Sequence, residues 1–212
     1  MSDPGGAGFT DLLERARRFA VPGRRGLLGI TGAPGAGKST IAERLVAALG
    51  DSARLVAMDG FHLAGAELDR LGRAERKGAP DTFDALGYVA LLERLRRNAE
   101  RVVYAPLFDR SLEEPIACAV AVPREVPLVV TEGNYLLVPD GDWAGVRPQL
   151  DACWFVDPGE DLRVARLVAR HERYGRPAEV ALGRALGSDQ RNAQVIAATR
   201  HRADWVISGA GW

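Results

Sequence analysis

A glycine-rich segment that ends in Lys38 and Ser39 is the part of the sequence with the clearest chemical meaning. Its spacing, Gly-x-x-x-x-Gly-Lys-Ser, is typical of a loop whose backbone N–H groups surround phosphate at the start of a helix. The lysine contacts the β- and γ-phosphates, and the serine hydroxyl is a Mg²⁺ ligand. The sequence therefore predicts a Mg²⁺-dependent nucleoside triphosphate site. The residues expected to form it are Gly32, Ala33, Pro34, Gly35, Ala36, Gly37, Lys38, Ser39 and Thr40.

Two acidic residues, Asp59 and Glu132, each follow an apolar run and precede a glycine. In an open parallel sheet, ligands bind beyond the carboxyl ends of the strands, where the phosphate loop also lies. Phosphoryl transfer needs a group that accepts or orients the proton of the attacking hydroxyl, and Asp59 is our candidate for this catalytic role. We expect Mg²⁺ to be bound by Ser39, Asp59 and Glu132, directly or through water. Alternatively, each acid could simply begin a turn after its strand.

A third group of candidates consists of arginines spaced along one face of a predicted helix, namely Arg163, Arg166, Arg170 and Arg173. Four like charges in one stripe repel one another, but they would stabilise a triphosphate in its transition state. We expect Arg166 and Arg170, together with Lys38, to be catalytic, and Arg173 to help bind the nucleotide, with Arg176 as an alternate. Gly175 would provide a hinge for a closing lid over residues 160–188. The alternative is a solvated helix face paired with neighbouring acids.

The residues that could contact a phosphate acceptor are polar and lie in or beside irregular segments. Several have an ordinary structural alternative: His62 could be a packing residue, Asp81 a turn residue, Asp84 a helix N-cap and Arg110 an ion-pair partner. The candidates are His62, Asp81, Asp84, Arg110, Asn134 and Tyr135.

Short apolar runs alternate with amphipathic segments, which predicts a three-layer α/β fold. We expect a five-stranded, mainly parallel sheet with helices on both faces, in one domain over residues 1–212. An N-terminal helix should pack on it within residues 1–24, and residues 99–126 should form a small inserted β element. The predicted strands are 26–31, 54–58, 127–131, 152–156 and 205–207, and the predicted helices are 9–20, 38–49, 84–98, 160–173 and 189–202.

The composition limits the classes of partner. Lys and Arg together number 28, as do Asp and Glu, so the net charge is +0 and there is no overall basic field for nucleic acid. The two cysteines, Cys118 and Cys153, are far apart, and we expect both to be reduced and buried. No apolar run approaches the length of a membrane span. We therefore expect a soluble, cytoplasmic protein that has neither a nucleic acid nor a membrane as partner.

Taken together, the phosphate loop, Asp59-Gly-Phe-His, the segment 79–84, Glu132-Gly-Asn and the arginines of 166–176 resemble the phosphoribulokinase / uridine kinase / bacterial pantothenate kinase family. The resemblance is strongest to its branch of bacterial nucleoside/nucleotide kinases, also described as fructose-transport kinases. It implies a P-loop kinase fold, the cofactors ATP and Mg²⁺, transfer of the γ-phosphate to a hydroxyl of a small metabolite, and a possible homodimer.

The resemblance also implies a catalytic Asp59, a lid that carries Arg166 and Arg170, and an acceptor segment at Asp81 or Asp84. Where uridine kinases continue with Ser-Phe-Tyr, this chain has Gly-Phe-His, so uridine is not the expected acceptor. The alternative functions are a nucleotide-switched regulatory NTPase and a domain that binds nucleotide without turnover. No Asn-Lys-x-Asp guanine-recognition string occurs in the chain.

Overall fold

The computed structural model describes residues 8–173, 175 and 177–209, with only the backbone of Arg184 and Ser188. The strands are β1 (Gly26–Thr31), β2 (Ala53–Ala57), β3 (Val102–Asp109), β4 (Glu114–Pro123), β5 (Leu128–Glu132), β6 (Ala152–Asp157) and β7 (Trp205–Ser208). The α-helices are α1 (Phe9–Arg17), α2 (Lys38–Leu49), α3 (Gly65–Arg70), α4 (Ala85–Arg97), α5 (Glu160–Arg173), α6 (Ala178–Leu186) and α7 (Ser188–Ala197).

The central sheet has five strands in the order β2-β5-β1-β6-β7, and every pairing is parallel. The predicted sheet is therefore confirmed, with strand ends shifted by one or two residues. Residues of β1 and β5 are buried along their whole length, as expected for parallel strands that are covered on both faces. β2 ends at Ala57, so Met58 and Asp59 lie in a short 3-10 turn, Met58–Phe61.

Helices cover both faces of this sheet. On one face, α4 buries Tyr88, Leu92 and Leu95, whose spacing of three to four residues places them on one side of the helix. On the other face, α1 and α2 pack against the sheet through residues such as Leu12 and Leu45, which are fully buried. The apolar sides of these helices and of the strands form two continuous cores, which confirms the three-layer arrangement.

The inserted β element is an antiparallel hairpin made of β3 and β4, with a bulge between Ala105 and Leu107. Its inner side adds Val103 and Val122 to the core, whereas the middle of β4 is exposed. Cys118 lies in this exposed part, so the prediction that it is buried was wrong. The reason is that the hairpin covers the core with one side only. Cys153, in β6, is buried as expected.

The segment after β6 differs most from the sequence prediction. The helix expected at 160–173 is α5, but a separate helix, α6, follows it, and the last helix ends at Ala197, short of 202. α3 was not predicted either, because six residues are too few to show a helical period. Within the described part of the chain, no helix has the length and apolar character needed to cross a bilayer.

Candidate active site

The phosphate loop connects β1 to α2, as its spacing predicted. Gly35 has φ +82° and Gly37 has φ +98°, both in the left-handed region that favours glycine. A Cβ atom built on Gly35 would lie 2.5 Å from the carbonyl oxygen of Arg163, so a side chain there would collide with α5. Because Gly37 is the N-cap of α2 and has no side chain, the positive end of the helix is left for an external anion.

Lys38 and Ser39 begin α2 and point toward the end of the central strands. Lys38 is only 9% exposed, and its Nζ donates a hydrogen bond to the carbonyl oxygen of Ala33 at 3.3 Å. Burial lowers the pKa of this lysine, while the negative charges of Glu132 and Asp59 oppose the shift. The Oγ atom of Ser39 donates to Oε1 of Glu132 at 3.1 Å. The lysine, the serine and two acids therefore form one electrostatic group.

Glu132 is the last residue of β5, between β1 and β2, and it is paired in register with Ile30 and Ala57. Its side chain is buried, and burial together with the charge of Asp59 raises its pKa to about 7, against the opposing effect of Lys38. A buried carboxylate whose negative charge is only partly balanced by nearby positive charge is suited to bind a cation. Mg²⁺ is normally held by one or two carboxylates plus substrate phosphates, so Ser39, Glu132 and Asp59 fit the Mg²⁺ of a nucleotide.

Asp59 lies on the 3-10 turn after β2, and its side chain is 29% exposed to the cleft. Nη2 of Arg110, from the loop of the hairpin, is 3.4 Å from its Oδ2. The turn itself is pressed against the hairpin, since a Cβ atom on Gly60 would lie 2.6 Å from the carbonyl oxygen of Pro106. The hairpin therefore helps to position Asp59.

His62 follows this turn, and its Nδ1 lies 2.8 Å from the carbonyl oxygen of Asp59. A carbonyl only accepts, so Nδ1 donates, and Nε2 of the neutral ring is an acceptor. Burial lowers the pKa of His62, which favours this neutral form. The ring also packs between Phe83 and Phe108, with centroid distances of 4.0 and 4.7 Å.

These groups line a cleft of about 340 Å³ at the carboxyl ends of the strands. One wall is the phosphate loop and α5, and the other is the hairpin and the segment before α4. This volume suits a small metabolite next to the phosphates of a nucleotide. The polar lining residues are Lys38, Ser39, Asp59, His62, Glu75, Lys77, Arg110, Glu113, Glu132, Asn134, Arg170, His171, Asp189 and Asn192.

The arginines of α5 do not act as one stripe. Arg170 lines the cleft, and Nη1 of Arg166 donates to the carbonyl oxygen of Ala36 in the phosphate loop at 3.2 Å. Arg163, in contrast, is buried and bonds to Glu160, Gln190 and the carbonyl oxygen of Pro34, so it supports the loop from behind. Arg173 is exposed and is not among the described residues that line the cleft, so its contact with the nucleotide stays a prediction. Arg176 is outside the described residues.

Three of the six acceptor candidates, His62, Arg110 and Asn134, line the cleft. The other three are not among the described residues that line it, and each has another partner. Asp84 caps α4 by accepting from the backbone N–H of Gly87 at 2.8 Å. Asp81 is held in ion pairs with Arg73 and Arg76. Tyr135 is fully buried, and its hydroxyl donates to the carbonyl oxygen of Gly78 at 2.5 Å.

Sequence reasoning missed Glu75 and Lys77, which also line the cleft. Lys77 Nζ donates to the carbonyl oxygen of Glu113 and lies 5.1 Å from the centroid of the Phe108 ring, so it connects the segment before α4 to the hairpin. The run Glu75-Arg76-Lys77 in an irregular segment was the available signal. A charged run in a loop is usually solvated surface, so this signal is weak.

Comparison with known proteins agrees with this geometry. Residues 27–210 match the model of the Phosphoribulokinase / Uridine kinase family. A Schizosaccharomyces pombe protein named "Putative uridine kinase" is 32% identical over 176 residues, which cover 79% of this chain and 72% of the relative. The uncharacterised protein YggC of Escherichia coli is 30% identical, with 88% of this chain and 78% of the relative covered.

Among solved structures, a protein described as a "putative fructose transport system kinase" from Silicibacter sp. TM1040 superimposes with a TM-score of 0.85. It is 36% identical, and the match covers 95% of this chain and 99% of that one. The family match extends over most of the chain and includes the phosphate loop, Asp59, Glu132 and α5. The chain therefore belongs to the phosphoribulokinase / uridine kinase family.

Proposed function

We propose that this protein transfers the γ-phosphate of ATP to a hydroxyl group of a small metabolite of the nucleoside, sugar or vitamin-precursor type. The observation that carries the proposal is the position of Asp59. Its carboxylate lies in the same cleft as Lys38, Ser39 and Glu132, and this cleft continues beyond them toward the hairpin. As a kinase of its family, the protein uses ATP and Mg²⁺.

The part of the cleft toward the hairpin, which we call the acceptor half, binds the phosphate acceptor next to its general base. Asp59 accepts or orients the proton of the acceptor hydroxyl and thereby makes the oxygen a better nucleophile. Arg110, whose Nη2 lies 3.4 Å from Oδ2 of Asp59, helps to hold this carboxylate in the cleft. The neutral His62 imidazole contributes an acceptor nitrogen, which suits a second hydroxyl of the substrate.

The part of the cleft beside the phosphate loop, which we call the donor half, stabilises the negative charge of the triphosphate. The phosphate loop binds the triphosphate through its backbone, and Lys38 neutralises the β- and γ-phosphates. Arg170, on the same wall of the cleft as the phosphate loop, adds positive charge near the phosphates, where negative charge is redistributed during transfer. Ser39, Glu132 and Asp59 would hold Mg²⁺, which would neutralise part of the negative charge of the phosphates. Arg166, bonded to Ala36, acts on the shape of the loop.

The lining of the acceptor half indicates a polar substrate. Lys77, Arg110 and Asn134 offer hydrogen-bond donors, Glu75 and Glu113 offer acceptors, and the rings of Phe83 and Phe108 provide apolar contact. Such a mixture is typical of sites that bind a polyhydroxylated ring or a short chain with an anionic group.

A turnover screen tests the proposal. ADP release is measured with ATP, Mg²⁺ and a panel of nucleosides, sugars and vitamin precursors, and one class of acceptor is expected to raise it. Asp59→Asn should lower kcat by about 10²- to 10⁴-fold, the usual contribution of a general base. The product, isolated and analysed by mass spectrometry, should carry the phosphate on a hydroxyl.

The matched control is Asp69→Asn, on the exposed side of α3, which should leave turnover unchanged. Hydrolysis of ATP that no acceptor stimulates, and that Asp59→Asn leaves intact, would contradict the proposal and favour a regulatory NTPase. Tight binding of Mg²⁺-ATP without turnover on the whole panel would favour a domain that only binds nucleotide.

A second, smaller cavity of about 140 Å³ adjoins the phosphate loop between β6 and α7. It is bordered by Ala33 and Ala36 of the loop and by Gln194 of α7, and its size suits a nucleobase. We propose that it receives the base of ATP. Gln194→Trp should raise the KM for ATP and leave the KM for the acceptor unchanged, whereas Val195→Trp, on the exposed side of the same helix, should alter neither.

A further inference from the structure

A separate cavity of about 620 Å³ lies at the opposite end of the central sheet from the cleft. It is formed where β1 and β5 begin, by Gly23–Arg25 and Val126–Pro127, and by the end of α4. β1 has six residues, so about 20 Å separates this cavity from the phosphate loop. We call it the basal cavity. Nothing in the proposed phosphoryl transfer uses it.

The basal cavity is strongly basic. Five of its lining residues are arginines and one is an acid, Glu125; the arginines are Arg24, Arg25, Arg96, Arg97 and Arg124. Asp151, just outside, pairs with Arg24 at 2.7 Å and with Arg96 at 3.5 Å. Even when Asp151 is counted, positive charge remains in excess in a chain whose net charge is +0. A local excess of this kind attracts small anions.

The side chain of Arg25 is a second, independent feature that indicates an anion site. Its side chain lines the cavity although the residue is only 5% exposed. Nη2 donates to Oδ1 of Asn98 at 2.7 Å and to the carbonyl oxygen of Pro123 at 2.8 Å. Nε and Nη1 are buried and have no hydrogen-bond partner among the described residues. A buried guanidinium with unused donors is costly unless an acceptor completes it.

The surroundings of Arg25 explain why it is held in this position. Asn98, with φ +48°, ends α4, and its Nδ2 donates to the carbonyl oxygen of Arg124 at 3.0 Å. The same side chain therefore ties Arg25 to the segment between β4 and β5. The hydrogen bonds of the guanidinium go to neutral oxygens, and the carboxylate of Glu125 offsets part of its charge.

The lining also indicates the class of ligand. Planar guanidinium groups bind phosphate through paired hydrogen bonds, and several arginines around one cavity suit more than one phosphate. No aromatic ring is among the described residues that line it, so it offers no surface on which a nucleobase would stack. The concave shape and the volume favour a small molecule over a membrane surface or a nucleic acid backbone.

We propose that the basal cavity binds a small metabolite with two or more phosphate groups, of the sugar-phosphate or polyphosphate kind, separately from the nucleotide cleft. In this site Arg97 and Arg124 are the exposed ligands at the rim, and Arg25, buried beneath them, adds positive charge. Binding there is independent of phosphoryl transfer, so it can be tested whether or not an acceptor is known.

The test is calorimetric titration of the full-length Lys38→Ala variant, in which the phosphate loop is weakened, with inorganic tripolyphosphate and with fructose 1,6-bisphosphate. We expect one site, and a rise in melting temperature on ligand addition. Arg97→Glu and Arg124→Glu should each raise the Kd by about tenfold or more, because each removes a charge-assisted hydrogen bond. Arg25→Met, which removes the buried positive charge beneath the cavity, should weaken binding, and its fold is checked by circular dichroism.

The matched controls are Arg17→Glu and Arg54→Glu, which change the net charge equally on other surfaces and should leave the Kd unchanged. Absence of binding in Lys38→Ala, or binding that Arg97→Glu and Arg124→Glu do not weaken, would overturn the proposal. So would charge-dependent binding to phosphatidylserine vesicles or to RNA in place of both small probes. Preference for one probe over the other distinguishes a polyphosphate ligand from a sugar phosphate.

Discussion

The buried carboxyl of Glu132 should make the stability of the nucleotide-free protein depend on pH in an unusual direction. Its pKa is raised from 4.5 to about 7 in the folded protein. A folded pKa above the unfolded one means that the folded state holds the proton more tightly. The resulting stabilisation is complete below pH 4.5, the unfolded value, and is lost as the pH rises through about 7.

The magnitude follows from the shift. Each pKa unit corresponds to about 1.4 kcal/mol, and most of the difference between the folded and the unfolded pKa of Glu132 acts between pH 5 and pH 8. The free energy of unfolding should therefore fall by about 2–3 kcal/mol over this interval, relative to a Glu132→Gln variant that cannot ionise. Glu132 is only 6% exposed, so solvent screens this effect little.

The assay is urea unfolding of the wild-type and Glu132→Gln proteins at pH 5, 6.5 and 8, without nucleotide and with EDTA. Replacing Glu132 also removes the negative charge that acts on Lys38, which changes the free energy of unfolding at every pH. The comparison is therefore between the slopes of this free energy with pH and not between its absolute values. Glu43→Gln, an exposed position on α2, should follow the wild-type slope. Parallel slopes for the wild-type and Glu132→Gln proteins would refute the reasoning.

Three further predictions concern single contacts. Gly35→Ala should lower stability by about 1–3 kcal/mol and weaken Mg²⁺-ATP binding in calorimetry, because its Cβ would meet the Arg163 carbonyl; unchanged affinity would count against the loop geometry. Asp84→Ala should cost about 1 kcal/mol in urea unfolding through loss of the N-cap. A raised KM for the acceptor would instead restore Asp84 as a substrate ligand. Tyr135→Phe should cost about 1 kcal/mol with kcat unchanged, since Asn192 still donates to Gly78; a large fall in kcat would return Tyr135 to the site.

The donor half of the site was predictable because it depends on local patterns. The strand before the phosphate loop, the glycine spacing and the acids after two apolar strands are each visible in a short stretch of sequence. Parallel pairing then brings the ends of β1, β2 and β5 together, so that Ser39 and Glu132, 93 residues apart, are in contact. The order of these strands within the sheet did not have to be known, since the carboxyl ends of parallel strands all lie at one edge.

The acceptor half was predicted less well because its contacts are long-range and irregular. Asp81, Asp84 and Tyr135 are each polar residues in the right segment, but each is used by a nearby partner that no periodicity reveals. Lys77 reaches the cleft because the segment before α4 folds against the hairpin, 36 residues further along the chain. The arginines of α5 were also hard to predict one by one. Helical spacing places them on one face of the helix, but it does not show which side chains are buried and which reach the cleft.

The close contact between Gly60 and Pro106 links acceptor recognition to the chemical step. The turn that carries Asp59 is packed against the backbone of the hairpin, and the same hairpin supplies Arg110 and Phe108 to the acceptor half. An acceptor that pushes the hairpin outward therefore also moves the carboxylate away from its hydroxyl. Discrimination among acceptors should then appear in kcat as well as in KM, because a molecule that fits poorly binds with its hydroxyl misaligned with the Asp59 carboxylate.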